Sequence, residues 1–241
     1  MLITLEGIEG TGKTTQAGRL AEWLKKRGIE AVVTREPGGT ALGGRLRALL
    51  MDNNPGADLA GTGNFAEALL FLADRADHSG RVLIPHLLND RIVVCDRYWH
   101  STMVYQGVLV GGPAFDWVVK AQMDLAKAME EMLGFDRGEK RGLLRPDLTL
   151  IFDMDPAAAL SRLVHRGGVP RTRFDDKPLS YHARARGAFL RLAHGNIGAA
   201  RLVVIDAGKS EDLVAAAVQA KVWEQLENMG MRPREVVDGH R

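Results

Sequence analysis

The segment Gly7-Ile8-Glu9-Gly10-Thr11-Gly12-Lys13-Thr14 satisfies the pattern G-x-x-x-x-G-K-[ST] at every fixed position, with Thr15 directly behind it. Glycines in such a loop let the backbone curl so that successive N–H groups point inward at phosphate oxygens, where side chains would collide. Lys13 would reach the β- and γ-phosphates of a bound triphosphate, and the Thr14 hydroxyl would ligate Mg²⁺. The pattern alone implies triphosphate binding and leaves the reaction open.

A partner for the metal is an acid at the end of a buried strand. Asp96 closes the apolar run Val93-Val94-Cys95 and is followed by Arg97-Tyr98, which puts a carboxylate where it could hold Mg²⁺ directly or through water. Asp153 closes another apolar run and is a weaker rival for the role, and a solvated loop acid is the bland alternative for either.

Arginines narrow the chemistry. Residues 160–195 hold Arg162, Arg166, Arg171, Arg173, Lys177, Arg184, Arg186 and Arg191 against Asp175 and Asp176, a local charge of +6. Unit charges ~4 Å apart repel by about 4 kcal/mol at an effective dielectric near 20, so bringing two phosphate-bearing molecules together needs such cations. Arg166, Arg171 and Arg173 lie beside Gly167-Gly168 and Pro170, as expected of a mobile lid that closes over phosphates and excludes water. Arg184, Arg186 and Arg191 read as a solvated helix face.

The elements that must position these residues follow from hydrophobic patterning. Leu2–Glu6, Ala31–Thr34, Arg91–Asp96, Leu148–Asp153 and Leu202–Asp206 are short apolar runs without polar alternation, as in a parallel sheet buried on both faces. Helical stretches lie between them near Lys13–Arg27, Ala41–Met51, Asn64–Leu88, Ala114–Leu133, Pro156–Arg166, Ser180–His194 and Glu211–Asn228. Asp155-Pro156 and Ser210-Glu211-Asp212 carry helix-start chemistry. The fold class is therefore α/β, a five-stranded parallel sheet with helices on both faces. Residues 1–228 read as one domain with a lid near 166–178, and 229–241 as a frayed tail.

Composition agrees. The chain has 241 residues, 46% of them apolar, and a net charge of +2, so it can bury a core without staples and is no polybasic nucleic-acid binder. A single cysteine, Cys95, excludes an internal disulfide. No apolar stretch approaches the ~20 residues of a membrane span, and a cytoplasmic protein without membrane or nucleic-acid partners is expected.

Beyond these motifs the sequence resembles the thymidylate kinases, P-loop enzymes that move phosphate from ATP to dTMP. The resemblance rests on Leu5-Glu6-Gly7-Ile8-Glu9-Gly10, Thr34-Arg35-Glu36-Pro37-Gly38-Gly39-Thr40, Leu70-Phe71 with Arg75 and His78, Asp96-Arg97-Tyr98 with Ser101 and Tyr105-Gln106-Gly107, and Arg145-Pro146-Asp147-Leu148-Thr149. It implies that Phe71 stacks on thymine, that Arg75 reaches a base carbonyl, and that Ser101 and Gln106 contact the base. It further implies that Arg97 binds the dTMP phosphate with Arg35 and Glu36 nearby, that Glu9 accepts from the sugar 3′-hydroxyl, and that Tyr105 occupies the place of a ribose 2′-hydroxyl. Without it, Phe71 would pass as core and Ser101 and Tyr105 as helix surface.

Because the phosphate loop lacks an arginine and the 166–173 stretch is rich in them, the resemblance is to the bacterial lid-arginine type. The implied partners are ATP, with Mg²⁺, and dTMP, in a homodimer to which the Asn64–Leu88 helix contributes. Trp99-His100, Asp77 and, in Arg173-Phe174-Asp175 where many members have Arg-x-Glu, Asp175 depart from the common pattern. Two alternatives remain at the level of sequence: a kinase for another deoxynucleotide, and a nucleotide-dependent switch. The second lacks the guanine-reading N-K-x-D of GTPase switches.

Overall fold

The computed structural model describes residues 1–52, 64–133, 142–164, 171–195 and 201–231. Five strands, β1 (Leu2–Glu6), β2 (Ala31–Arg35), β3 (Ile92–Asp96), β4 (Leu148–Asp153) and β5 (Leu202–Asp206), form one all-parallel sheet in the order β2-β3-β1-β4-β5. Every residue of β1 and β3 is buried, which is why their sequences show no polar alternation. The outer strands β2 and β5 are only partly covered and tolerate polar or exposed residues.

Helices α1 (Lys13–Lys25), α2 (Ala41–Met51), α3 (Asn64–His78), α4 (Ile84–Leu88), α5 (Trp99–Thr102), α6 (Ala114–Met132), α7 (Pro156–Val164), α8 (Leu179–Gly195) and α9 (Glu211–Asn228) connect and cover the strands. Asp155 accepts the Ala158 amide at 3.0 Å ahead of Pro156, and Ser210 accepts Leu213 N at the head of α9, as their sequence chemistry requires. The expected single helix 64–88 is instead two, joined by a π-helical turn at Ser79–Leu83. Pro85 lies just beyond; it has no N–H to donate and its ring crowds the preceding turn, so the ladder adjusts there. A second π-helical segment, Met103–Val108, extends α5 and carries Tyr105 and Gln106.

Register decides where the site forms. Leu5 pairs with Asp96 and Glu6 with Ile151, so β1 and β3 end within a residue of each other while β4 runs two residues further. The β1-to-β2 connection runs to one side of β1 and the β3-to-β4 connection crosses to the other, and the crevice at the carboxyl ends of β1 and β3 is where ligands of such folds sit.

Candidate functional site

β1 delivers the phosphate loop. Gly7 and Gly10 have φ of 134° and 77°, and a Cβ on Gly10 would lie 2.1 Å from the Ala159 carbonyl oxygen, so glycine is required there both by conformation and by space. Lys13 is turned back on the loop, donating to Ile8 O at 2.6 Å and to Thr11 Oγ1 at 3.2 Å. Burial, with Arg97 nearby, lowers its ammonium pKa to about 8, while Asp96, Glu9 and Glu6 resist. Lys13 therefore stays charged at neutral pH yet lacks a full set of anionic partners, which phosphate oxygens would supply.

The Thr14 hydroxyl donates to Asp96 Oδ2 at 2.5 Å across the β1–β3 crevice. Together they are hard oxygen donors and suit Mg²⁺, which is held by one or two protein oxygens plus substrate phosphates. No group of three or more His, Cys, Asp or Glu able to cage a metal occurs among the described residues. Asp153, the rival acid, is held by Arg186 through two bonds of 2.6 and 2.9 Å.

Between loop and helices lies a charged network. Arg97 has φ of 71° and donates to Gly7 O, Ser101 Oγ and, at 2.9 Å, Glu9 Oε1. Tyr105 donates its hydroxyl to both Glu9 oxygens, at 3.0 and 3.1 Å, and its ring lies 5.5 Å from the Arg97 guanidinium. Burial alone would raise the Glu9 pKa, but Arg97, His182 and Lys13 hold it at about 2. Glu6 differs: it takes Tyr98 N at 2.8 Å and Ser101 Oγ at 2.6 Å, and burial raises its pKa despite them.

A second network sits further in. Glu36 meets Arg75 at 2.7 Å and His78 Nδ1 at 2.8 Å, and His78 Nε2 meets the Thr34 hydroxyl. Burial would raise Glu36, but Arg75 and His78 win and its pKa is lowered. Arg75 also donates to Gln122 and Thr102 and lies over the Tyr98 ring. Asp74 accepts Gly38 N at 3.0 Å; burial, then repulsion from Glu36, pushes its pKa up to about 6.

The arginine-rich segment points elsewhere. Arg173 donates to Leu50 O at 2.6 Å and to Glu67 Oε2 at 2.7 Å, and Glu67 also accepts Gln106 Nε2. Arg171 pairs with Asp176 at 2.8 Å, and Asp175 Oδ2 accepts the Thr172 amide and hydroxyl. Arg166 lies outside the described residues. Phe174 packs against Tyr105, ring centroids 5.7 Å apart, so the segment also meets the Tyr105 wall with an aromatic ring.

A cleft of about 670 Å³ joins these parts. Lys13, Thr14, Thr15, Arg35, Glu36, Phe71, Arg75, Asp96, Arg97, Ser101, Tyr105 and Gln106 all line it, as does the loop from Glu9 onward; Gly7 and Ile8 do not. Arg171 and Arg173 do not line it. Three cations that sequence reasoning did not single out do: Arg47, Arg162 and Lys209. Burial and the repulsion of Arg35 and Arg97 lower the Arg47 pKa, so three guanidiniums converge where a dianion would relieve them. An arginine on a short helix gave no signal of this; only the fold brings Arg47 to Arg35 and Arg97.

A protein-family model described as thymidylate kinase matches residues 5–218. The chain is 38% identical over 231 residues to a thymidylate kinase of Desulforapulum autotrophicum, covering 94% of this chain and 92% of that one. It is 40% identical over 210 residues to a thymidylate kinase of Carboxydothermus hydrogenoformans, covering 87% and 90%. To a thymidylate kinase of Solidesulfovibrio magneticus it is 38% identical over 231 residues, covering 94% and 100%.

Proposed function

The chain belongs to the thymidylate kinase family and uses ATP to phosphorylate dTMP to dTDP, and from that premise we propose how the residues of its cleft divide the work. The observation that carries the proposal is one continuous cleft, running from a triphosphate loop to an aromatic, hydrogen-bonding pocket past converging arginines. Two phosphate-bearing substrates meet there end to end.

On the donor side the loop from Gly7 to Thr15 cradles the triphosphate, and Lys13 exchanges its loop contacts for β- and γ-oxygens. Thr14 and Asp96 would hold Mg²⁺, which would supply positive charge to the phosphates. On the acceptor side Arg97, with Arg35 and Arg47, holds the dTMP phosphate. Phe71 stacks on the base, Arg75, Ser101 and Gln106 read its edge, and Glu9 takes the sugar 3′-hydroxyl beside Tyr105.

The acceptor oxygen is ionised at neutral pH, so no base is needed to activate it; catalysis rests on alignment and charge neutralisation. Glu36 orients Arg75 and keeps its charge compensated. Arg171 and Arg173, with Arg166, are assigned to the transferring group, which requires Arg173 to leave Glu67. The protein works in the cytoplasm as a homodimer, for which the exposed Phe65 and Leu69 of α3 and Met123 of α6 offer apolar surface; light scattering gives the mass. Among the described residues no helix is long and apolar enough to cross a membrane.

A screen of nucleoside monophosphates for ATP-dependent diphosphate formation tests the acceptor assignment. The expected result is fastest turnover with dTMP. Faster turnover with dGMP or dCMP would overturn the base-reading roles of Phe71, Arg75 and Gln106.

A further inference from the structure

His182 is assigned no part in the scheme above, yet it is fully buried, and Nδ1 lies 3.3 Å from Glu9 Oε2. Neither ring nitrogen is aligned in a hydrogen bond with any described residue. A buried polar ring left in that condition costs free energy unless something completes it. We propose that His182 is a positioning residue for Glu9, fixing the plane of its carboxylate for the acceptor sugar. The proposal deepens the reading that Glu9 meets the 3′-hydroxyl and rests on it.

The geometry explains why a further contact is needed. Arg97 holds Oε1 at 2.9 Å, and the Tyr105 hydroxyl sits between the two oxygens at 3.0 and 3.1 Å. The last torsion of a glutamate side chain is broad, and Oε2, met only by the single hydroxyl proton that it shares with Oε1, is the less firmly held end of the carboxylate. His182 approaches the other oxygen, Oε2. A small shift on substrate binding would bring Nδ1 into line, as hydrogen bonds in empty sites commonly tighten only in the complex.

The helix that carries His182 is itself locked to the acceptor side. Tyr181 stacks on Tyr105 at 6.2 Å, Phe189 meets the same ring edge-on at 6.0 Å, and Tyr181 lies 5.7 Å from the His182 ring. Since α8 follows directly on the 171–178 stretch, His182 ties that stretch to the phosphate loop through a single carboxylate.

The test compares wild type, His182→Leu, His182→Asn, Glu9→Gln and the Glu9→Gln/His182→Leu double variant. kcat and KM are measured with dTMP, with its 3′-deoxy analogue and with ATP. Asparagine keeps a donor near Nδ1; leucine removes it. His182→Leu should raise KM for dTMP about fivefold, the worth of one modest hydrogen bond, with KM for ATP changed by less than about twofold. His182→Asn should recover most of that loss, and the double variant should be no worse than Glu9→Gln alone.

Additive losses, an equal rise in KM for ATP, or no change in either constant would overturn the proposal. Thermal unfolding checks each variant, and if the leucine variant does not fold, His182→Asn and its combination with Glu9→Gln carry the same comparison. Coupling to Glu9 in an enzyme that handles the 3′-deoxy analogue as well as dTMP would leave the positioning intact and remove the sugar reading. A wild type that prefers dTMP, with His182 variants that prefer it equally, would do the reverse.

Discussion

The acceptor side of the cleft and the 171–177 segment are both built around arginine, but they hold it differently. Arg75 and Glu36 leave 4% and 3% of their side chains exposed, against 51% and 47% for Arg171 and Asp176. The first pair sits in a network completed by His78, Gln122 and Thr102, so its guanidinium is aimed before any substrate arrives. The second pair lies where water competes for every contact. Buried pairs are costly to break, typically 3–5 kcal/mol, whereas exposed pairs contribute about 0–1 kcal/mol. Burial, and not residue type, separates fixed orientation from readiness to move.

The largest expected effect comes from the donor loop and sets the scale for both regions. Lys13→Ala should lower kcat by about 10³-fold in a coupled ADP-release assay, the scale of removing one preorganised cation from a developing charge. Next, Arg75→Ala strands the Glu36 carboxylate in the interior, and urea unfolding should show a loss of about 3–5 kcal/mol. A loss below about 1 kcal/mol would mean that the inner network is no firmer than the surface pairs.

Asp74 gives a smaller effect with a definite sign. Its folded pKa of about 6 lies above the ordinary 3.8, so between those values the native state holds the proton more tightly and stability falls as pH rises. Glu9, at about 2 against 4.5, works the other way: its contribution is present above 4.5 and fades as pH falls through 2. Asp74→Asn keeps an oxygen for Gly38 and cannot ionise. Relative to wild type it should gain about 1–3 kcal/mol between pH 4 and 7 in urea titrations, and a difference independent of pH would clear Asp74 of the role.

The smallest effect tests the exposed side. Arg173→Ala should lower kcat about tenfold while KM for dTMP stays within about twofold, if the guanidinium leaves Glu67 for the transferring phosphate. An unchanged kcat would make Arg173 a strut between the segment and α3, and a loss as deep as that of Lys13→Ala would erase the contrast between the two regions.

Much of the fold was legible because its strands are short apolar runs separated by capped helices. The bounds of β1, β4, β5 and α9 coincide with those read from sequence. The π-helical segments were not legible, since neither has a periodicity of its own. In the site, the phosphate loop and Asp96 were picked out by spacing, while Arg97, Phe71, Arg75 and Tyr105 were picked out only through resemblance. Arg47 and His182 stayed hidden for a physical reason. Each looks like an ordinary polar residue on its own helix, and each acquires its role from partners far away in sequence, Arg35 and Arg97 for the one and Glu9 for the other. Arg162 was counted in the basic stretch without its place in the cleft, and Arg186 proved to hold Asp153 where a solvated side chain was expected.

The backbone at Arg97 has one more implication. Its φ of 71° is a conformation that costs a non-glycine residue of order 1 kcal/mol, and its amide is nonetheless fixed by a 2.9 Å bond to Leu5 O. Glycine would suit that backbone better than any other residue, yet it would leave Glu9 without its cation and, on the proposed reading, the acceptor phosphate as well. A library randomised at this one codon and sorted by heat resistance should enrich glycine, while the same library sorted by turnover should return arginine.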